Sequence, residues 1–228
     1  MQHPIKVIIT GATGMVGEGV LQVCLQSDAI AKVLLINRRP SGITHLKVTE
    51  IVHEDFMDVN PLKTAVSGYD ACFFCIGVSS VGMKEAAYYR FKYELTIGFA
   101  RLLSSQNPVM TFCYVFGVGT DSSEKGRLMW ARVKGKTENA LMQLPFNAVF
   151  LFRPAIIIPT PGLKNTLKLY HYFGWLIPLF KVLIPNSICS LKEMGEAMIQ
   201  VALTGNEKKR LEVKDIKQLQ VAFNKCCY

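Results

Sequence analysis

The chain is short of the residues that build several kinds of site. Its 228 residues include 4 histidines and 7 cysteines, and 19% of positions are charged. Cysteines at that density are too sparse for a disulfide scaffold. Cys24, Cys72, Cys75, Cys113, Cys189, Cys226 and Cys227 fall mostly in apolar runs, where cysteine behaves as a small hydrophobe. The nearest approach to a metal spacing is Cys72 and Cys75 in DACFFCIG. That run reads as a buried strand, in which residues three apart face opposite ways. His3, His45, His53 and His171 do not pair at ligand spacing, so no metal is expected. An uninterrupted apolar run of about 20 residues, the length of a membrane span, is also missing. The most hydrophobic late stretch, 167–185, is broken by Lys168, His171, Gly174, Pro178 and Lys181. The first residues, MQHPIKVIITGATG, lack a basic start and an apolar run before a cleavage site. A secretion signal is therefore not expected, and the expected setting is reducing and cytoplasmic. No fixed-period repeat and no linker stands out.

What is there suits a folded domain. Half of the chain is hydrophobic, and a chain of 228 residues buries roughly 70% of its unfolded surface. The net charge of +9, from 26 basic and 17 acidic residues, suits anionic ligands or an acidic surface. The basic residues are scattered apart from Lys208, Lys209 and Arg210, and no nucleic-acid motif is present. A small-molecule substrate is the expected partner, not nucleic acid.

Through residue 160 strands alternate with helical stripes. Apolar runs at 5–10 (IKVIIT), 32–36, 48–52, 71–76, 110–116 and 148–152 read as strands. Stretches 15–26, 86–104 and 128–142 read as helices. Strands separated by helices predict an α/β fold with a doubly wound parallel sheet. After Phe152 the texture changes. RPAIIIPTPGLKN is proline-rich, the aromatic stretch 167–185 follows, and 191–203 is a short amphipathic helix. Residues 207–225 carry six basic and three acidic residues around a thin apolar stripe, expected as a peripheral helix or strand. The expected organisation is a Rossmann domain over 1–160 and a small C-terminal lid over 161–228, packed as one unit.

The sharpest local signal is Thr10-Gly11-Ala12-Thr13-Gly14-Met15-Val16-Gly17, which leaves the first strand and opens a helix. Gly11 permits the tight turn, Gly14 lets the backbone approach a pyrophosphate, and Gly17 permits close helix packing. The helix N-terminus offers free N–H groups and a positive dipole end to phosphates. The second strand ends in Asn37-Arg38-Arg39. In such folds an acid here holds the ribose hydroxyl of NAD, whereas an arginine accommodates the 2′-phosphate of NADP. Arg38 and Arg39 therefore predict NADP, with NAD as the alternative.

Taken in order, these motifs resemble the short-chain dehydrogenase/reductase superfamily. The closer resemblance is to its atypical and extended members with an NAD(P)-binding Rossmann fold. These include the Tat-interacting-protein-like oxidoreductases and the nucleoside-diphosphate-sugar epimerase-like proteins. The resemblance spans about residues 5–205. It assigns Gly11, Thr13, Gly14, Met15, Val16 and Gly17 to the cofactor turn, and Asp55-Phe56 to the adenine contact. It assigns Cys75-Ile76-Gly77 to the turn passing the nicotinamide ribose, and Phe152-Arg153-Pro154 resembles a motif of the extended members.

The family's catalytic set is Ser, Tyr and Lys, with Tyr and Lys four apart on one helix. Trp130-Ala131-Arg132-Val133-Lys134 is the matching segment. Lys134 is kept, and by resemblance holds the nicotinamide ribose. Trp130 stands where the family has Tyr, and an indole N–H is a donor that does not exchange its proton at working pH. The serine position falls near Phe116-Gly117-Val118, without a hydroxyl; Thr120, Ser122 and Ser123 follow in the loop. Tyr88, Tyr89, Tyr93, Tyr170 and Tyr172 are other phenols, more readily read as packing residues. Two outcomes stay open. In one, resembling the isoflavone-reductase group, the lysine works without its tyrosine. In the other, resembling the NmrA-type regulators, the dinucleotide is bound and little is catalysed. The aromatic stretch 167–185 reads equally as a cover for an apolar substrate and as a homodimer interface or core extension. Shallow membrane contact through Lys168 and Lys181 is the lesser alternative.

Overall fold

The structure, a computed structural model, describes residues 3–166 and 184–227. β1 (Ile5–Thr10) starts a sheet that continues through β2 (Ile30–Asn37), β3 (Val48–Val52), β4 (Ala71–Phe74), β5 (Thr111–Val115) and β6 (Ala148–Arg153). Two further short strands, β7 (Ile156–Ile158) and β8 (Ile188–Ser190), pair only with each other. β9 (Arg210–Glu212) closes the main sheet, whose order is β3-β2-β1-β4-β5-β6-β9 with every pairing parallel. The strand order reverses between β1 and β4, which is where ligands bind in open α/β sheets.

The strands read as unbroken apolar runs because both faces are covered. Alternate residues feed two cores. Val7 and Ile9, Ala71 and Phe73, and Phe150 and Phe152 join α1 (Met15–Gln26), α5 (Leu191–Thr204) and α6 (Val213–Cys227) on one face. Ile8, Cys72, Phe74, Phe112 and Tyr114 join α3 (Leu95–Gln106) and the end of α4 (Met129–Leu141) on the other. Cys72 and Cys75 thus lie against different cores.

The described C-terminal residues do more than cover the sheet. β9 pairs with β6, and its Leu211 is fully buried. Without it β6 would present an open edge to solvent. α5 starts at a capping box in which Ser190 and Glu193 satisfy each other's backbone donors. It then lies almost backbone-to-backbone on α1. A Cβ at Gly19 would stand 2.6 Å from Leu191 Cδ1, and one at Gly195 2.9 Å from Val23 Cβ. Residues 184–227 are therefore integral to the sheet and its α1 face. Most of the aromatic stretch, 167–183, with Tyr170 and Tyr172, lies outside the described residues. Its approach is fixed by Glu18 on α1, whose carboxylate accepts the Lys164 and Asn165 backbone N–H groups at 2.8 and 2.7 Å.

The helix expected over 86–104 exists but changes winding within. α2 (Glu85–Tyr89) leads into a wide π turn over Arg90–Glu94, where the Leu95 N–H donates to the Arg90 carbonyl five residues back. α3 continues from it. Such turns add one residue to the helical circuit and rotate the next helical residues about the axis.

Candidate cofactor cleft and lysine pocket

The glycine turn is held against the end of β4. Gly11 has φ +73°, open to glycine without strain, and a Cβ there would come within 3.1 Å of the Cys75 backbone. The Cys75 N–H donates to Thr10 at 3.3 Å. Gly17 faces back into the turn, where a Cβ would stand 2.2 Å from the Gly11 carbonyl oxygen. Gly14 differs: a Cβ would meet no protein atom closer than 3.5 Å. Gly14 also precedes the free N–H groups of α1. The turn is therefore packed on its inner side and open on the side where a phosphate would lie.

A cleft of about 170 Å³ runs past this turn, lined by Gly11, Thr13, Gly14, Asn37, Arg38 and Phe56, with Cys75, Ile76 and Gly77 on the β4 side. Asn37, at the end of β2, is buried and committed: its Oδ1 accepts the Ala12 N–H at 2.8 Å, and its amide donates to Glu50 at 2.7 Å. The strand-end side chain thus fixes the glycine turn, and Arg38 beside it reaches the cleft. The predicted residues are not all together. Arg39 is exposed and outside the cleft lining, as is Asp55, whose carboxylate caps its own loop at the Met57 N–H. Met15, Val16 and Gly17 belong to the first turn of α1 behind the cleft wall.

A second pocket of about 330 Å³ shares Gly77 with the cleft. Gly77, Val78, Lys92, Val115, Phe116, Gly117, Lys134, Pro154, Ala155 and Ile157 form its wall. No hydroxyl is among them. Thr120 donates to the Gly117 carbonyl, Ser123 to Asp121, and Ser122 accepts from Arg153. Trp130 lies against the Gly119 backbone, where a Cβ would be 2.6 Å from its ring, and the Lys134 amine stands 5.0 Å above the indole. Tyr88 is buried, while Tyr89 and Tyr93 stack on each other with Lys136 above them. None of the three phenols lines the pocket.

The two amines share an unusual setting. Burial, then the neighbouring Lys92, pulls Lys134 down from 10.5 to about 8, against the attraction of Glu138. Lys92 is 4% exposed, and burial brings it from 10.5 to about 8 as well. Its amine stands 4.8 Å over the Tyr114 ring and 5.0 Å over Phe116. The one carboxylate acting on both, Glu138, is fully buried one turn along α4 from Lys134. It is occupied by Arg153, which donates to both carboxylate oxygens. Lys92 escaped sequence reading because a lysine in YYRFKYE looks solvated. Its one cue is the four-residue step from the buried Tyr88. Glu138 gave the same kind of cue, four after Lys134.

Among the described residues no cluster of three His, Cys, Asp or Glu side chains is arranged to hold a metal. No described helix is long and apolar enough to cross a membrane.

A parallel sheet in this order, with a glycine turn at its reversal point, defines the class: an α/β protein with the NAD(P)-binding Rossmann fold. Within it, residues 7–118 match the NAD dependent epimerase/dehydratase family, and the resemblance to atypical short-chain dehydrogenase/reductases is borne out. The chain is 25% identical over 155 residues to Protein HTATIP2 of Rattus norvegicus, a match covering 67% of this chain and 63% of that protein. The chain therefore spans less than two thirds of that relative's length. It is 23% identical over 212 residues to Protein FMP52, mitochondrial, of Eremothecium gossypii, covering 89% and 90%. That name does not match the cytoplasmic setting expected from the sequence. The fold is that of the Bordetella bronchiseptica enzyme WbmF, solved with NAD+ (TM-score 0.66, 14% identity, 98% of this chain and 78% of that one). It is equally that of a short chain dehydrogenase from Burkholderia cenocepacia solved with NADP (TM-score 0.62, 15% identity, 99% and 97%).

Proposed function

We propose that the chain binds NADP(H), with NAD(H) as the alternative, and acts as an oxidoreductase on a small apolar carbonyl or activated alkene. The observation that carries this reading is the junction at Gly77, which lines both the glycine-turn cleft and the pocket holding Lys134. When bound, the nicotinamide supplies or accepts a hydride. The chain's own part is to hold and to move protons. The open side of the turn at Gly14 and the α1 N-terminus suit the pyrophosphate, and Arg38 suits a 2′-phosphate. Lys134 suits the nicotinamide ribose. With its amine near 8 it exchanges protons close to neutral pH, which the indole of Trp130 does not. The apolar wall of Val78, Val115, Phe116 and Ile157 favours an apolar substrate body over a sugar.

A second reading is favoured by Trp130 and by the absence of a hydroxyl among the described residues of the pocket wall. In it the chain binds the dinucleotide and acts through partner contacts, with little catalysis. Titration with NADPH and NADH, followed by nicotinamide fluorescence, comes first. NADPH oxidation against aldehydes, ketones and quinones comes second. Turnover that vanishes in Lys134→Ala supports the enzyme. Tight NADPH binding without turnover supports the second reading, and failure to bind either dinucleotide overturns both.

A further inference from the structure

Lys92 is a charged side chain of the pocket to which the cofactor reading gives no role. It is charged and almost wholly buried, and among the described residues no hydrogen bond or ion pair reaches its amine. A buried charge normally finds a partner, because losing water without one costs far more than the contacts around it return. The aromatic rings of Tyr114 and Phe116 offset part of that loss. Glu138 does not complete the offset, since Arg153 holds both its oxygens and Arg210 lies 3.6 Å away. The Lys92 side chain forms part of the pocket wall, and so does Lys134. Among its described lining residues the pocket thus presents two ammonium groups and no acid, the rest being apolar side chains, glycine and proline.

We infer that Lys92, with Lys134 beside it, is the receptor for a carboxylate on the substrate, the remainder of which is a small apolar body. The inference rests on the oxidoreductase reading of this site and narrows its substrate class to carbonyl or alkene compounds that bear a carboxylate. The rings and aliphatic side chains fit the apolar part, and the two amines fit the anion. A phosphate suits the pocket less well, because its described wall residues include neither a guanidinium fork nor a helix N-terminus. Lys92 lies within the π turn, on the buried side of a helix whose neighbouring residues, Arg90, Phe91 and Glu94, are exposed. Both amines titrate near 8, so both stay largely protonated at pH 7. Among the described residues, the other titratable groups around them are Glu138 on α4 and Tyr114 on β5. Glu138 is tied to Arg153, and burial holds the Tyr114 phenol neutral throughout the working range.

The test is calorimetric titration of the full chain with benzoate, benzyl alcohol and inorganic phosphate, each with and without saturating NADP+ or NAD+. Benzoate is expected to bind about tenfold to hundredfold more tightly than benzyl alcohol, the gain of a charge-assisted hydrogen bond in a dry site. The preference should fade as pH is raised from 7 to 9.5 in the unmodified chain. It should also fade in Lys92→Met, a variant of similar shape whose folding is checked by circular dichroism. Equal binding of benzoate and benzyl alcohol overturns the inference. So does phosphate matching benzoate, or a preference that survives both Lys92→Met and high pH. Failure of NADP+ and NAD+ alike to bind, with the benzoate preference intact, overturns the oxidoreductase reading instead and leaves the carboxylate receptor standing.

Discussion

The cleft at the glycine turn and the pocket at Gly77 are neighbours built by opposite means. The cleft is made mostly of backbone: Gly11, Gly14, the N–H groups of α1 and the β4 end at Cys75–Gly77. Its side chains serve mainly to hold that backbone, as Asn37 does at the Ala12 N–H. The pocket is made of side chains, and its chemistry depends on two amines drawn from helices about forty residues apart in sequence. Backbone sites tolerate change in everything except the few positions where a Cβ would intrude. Side-chain sites tolerate change in the frame and fail at the charged group. The contrast predicts different responses to substitution.

The largest expected effect separates two glycines three residues apart. Gly17→Ala forces a Cβ to 2.2 Å from the Gly11 oxygen, so the turn must open. It should destabilise the chain by roughly 3 kcal/mol or more and abolish NADPH binding. Gly14→Ala meets nothing nearer than 3.5 Å and has an extended N-cap backbone that alanine adopts. It should change stability by less than about 1 kcal/mol and still weaken NADPH, because the added methyl occupies the phosphate side. Thermal unfolding and cofactor titration on both variants decide this. Equal losses of stability would erase the distinction between the packed and the open side of the turn.

Lys92→Met comes next and has the opposite sign. Below pH 8 the folded chain carries a buried ammonium at a cost. From about 8 to 10.5 the unfolded chain keeps a proton that the folded chain has released, so stability of the unmodified chain rises with pH. The methionine variant should therefore be more stable by about 1–3 kcal/mol at pH 7, and this advantage should shrink across that window. Denaturant midpoints at pH 7 and pH 10 measure it. A destabilised variant at pH 7 would make Lys92 a packing residue with no stored cost.

Arg38→Ala should weaken NADPH by about 1–2 kcal/mol more than NADH, whereas Arg39→Ala, outside the cleft lining, should leave the ratio within a few tenths. Titration of both variants with both dinucleotides reads the difference. A larger effect at Arg39 would mean that the cleft closes around its ligand by a movement of the β2 end.

The same contrast explains what was legible in the sequence. The β1–α1 turn was readable because glycines at fixed spacing after an apolar run have few other uses. The strands were readable because a sheet covered on both faces writes itself as continuous apolar runs, as in IKVIIT and ACFF. Lys134 and Trp130 came from the resemblance, by position on α4. Lys92 was barely readable: its four-residue step from the buried Tyr88 is the sole cue, and a lysine among charged and aromatic neighbours does not read as buried. The Glu138–Arg153 pair was half readable, as the arginine of a motif without its partner. The place of β9 was also hidden. Three residues, Arg-Leu-Glu, carry almost no strand signal, and only the uncovered edge of β6 gives them one.

That last strand has a consequence for how the chain is made. Phe150 and Phe152 of β6 are fully buried partly among Leu211, Val213 and Ile216, which lie some sixty residues further along. During synthesis the sheet through β6 emerges with this edge and this flank bare, and it stays so until β9 and α6 arrive. The nascent chain therefore passes through a stage at which one more parallel strand, from any source, fits the open edge. A short late segment, which begins with Lys208, Lys209 and Arg210, ends that exposure by pairing with β6.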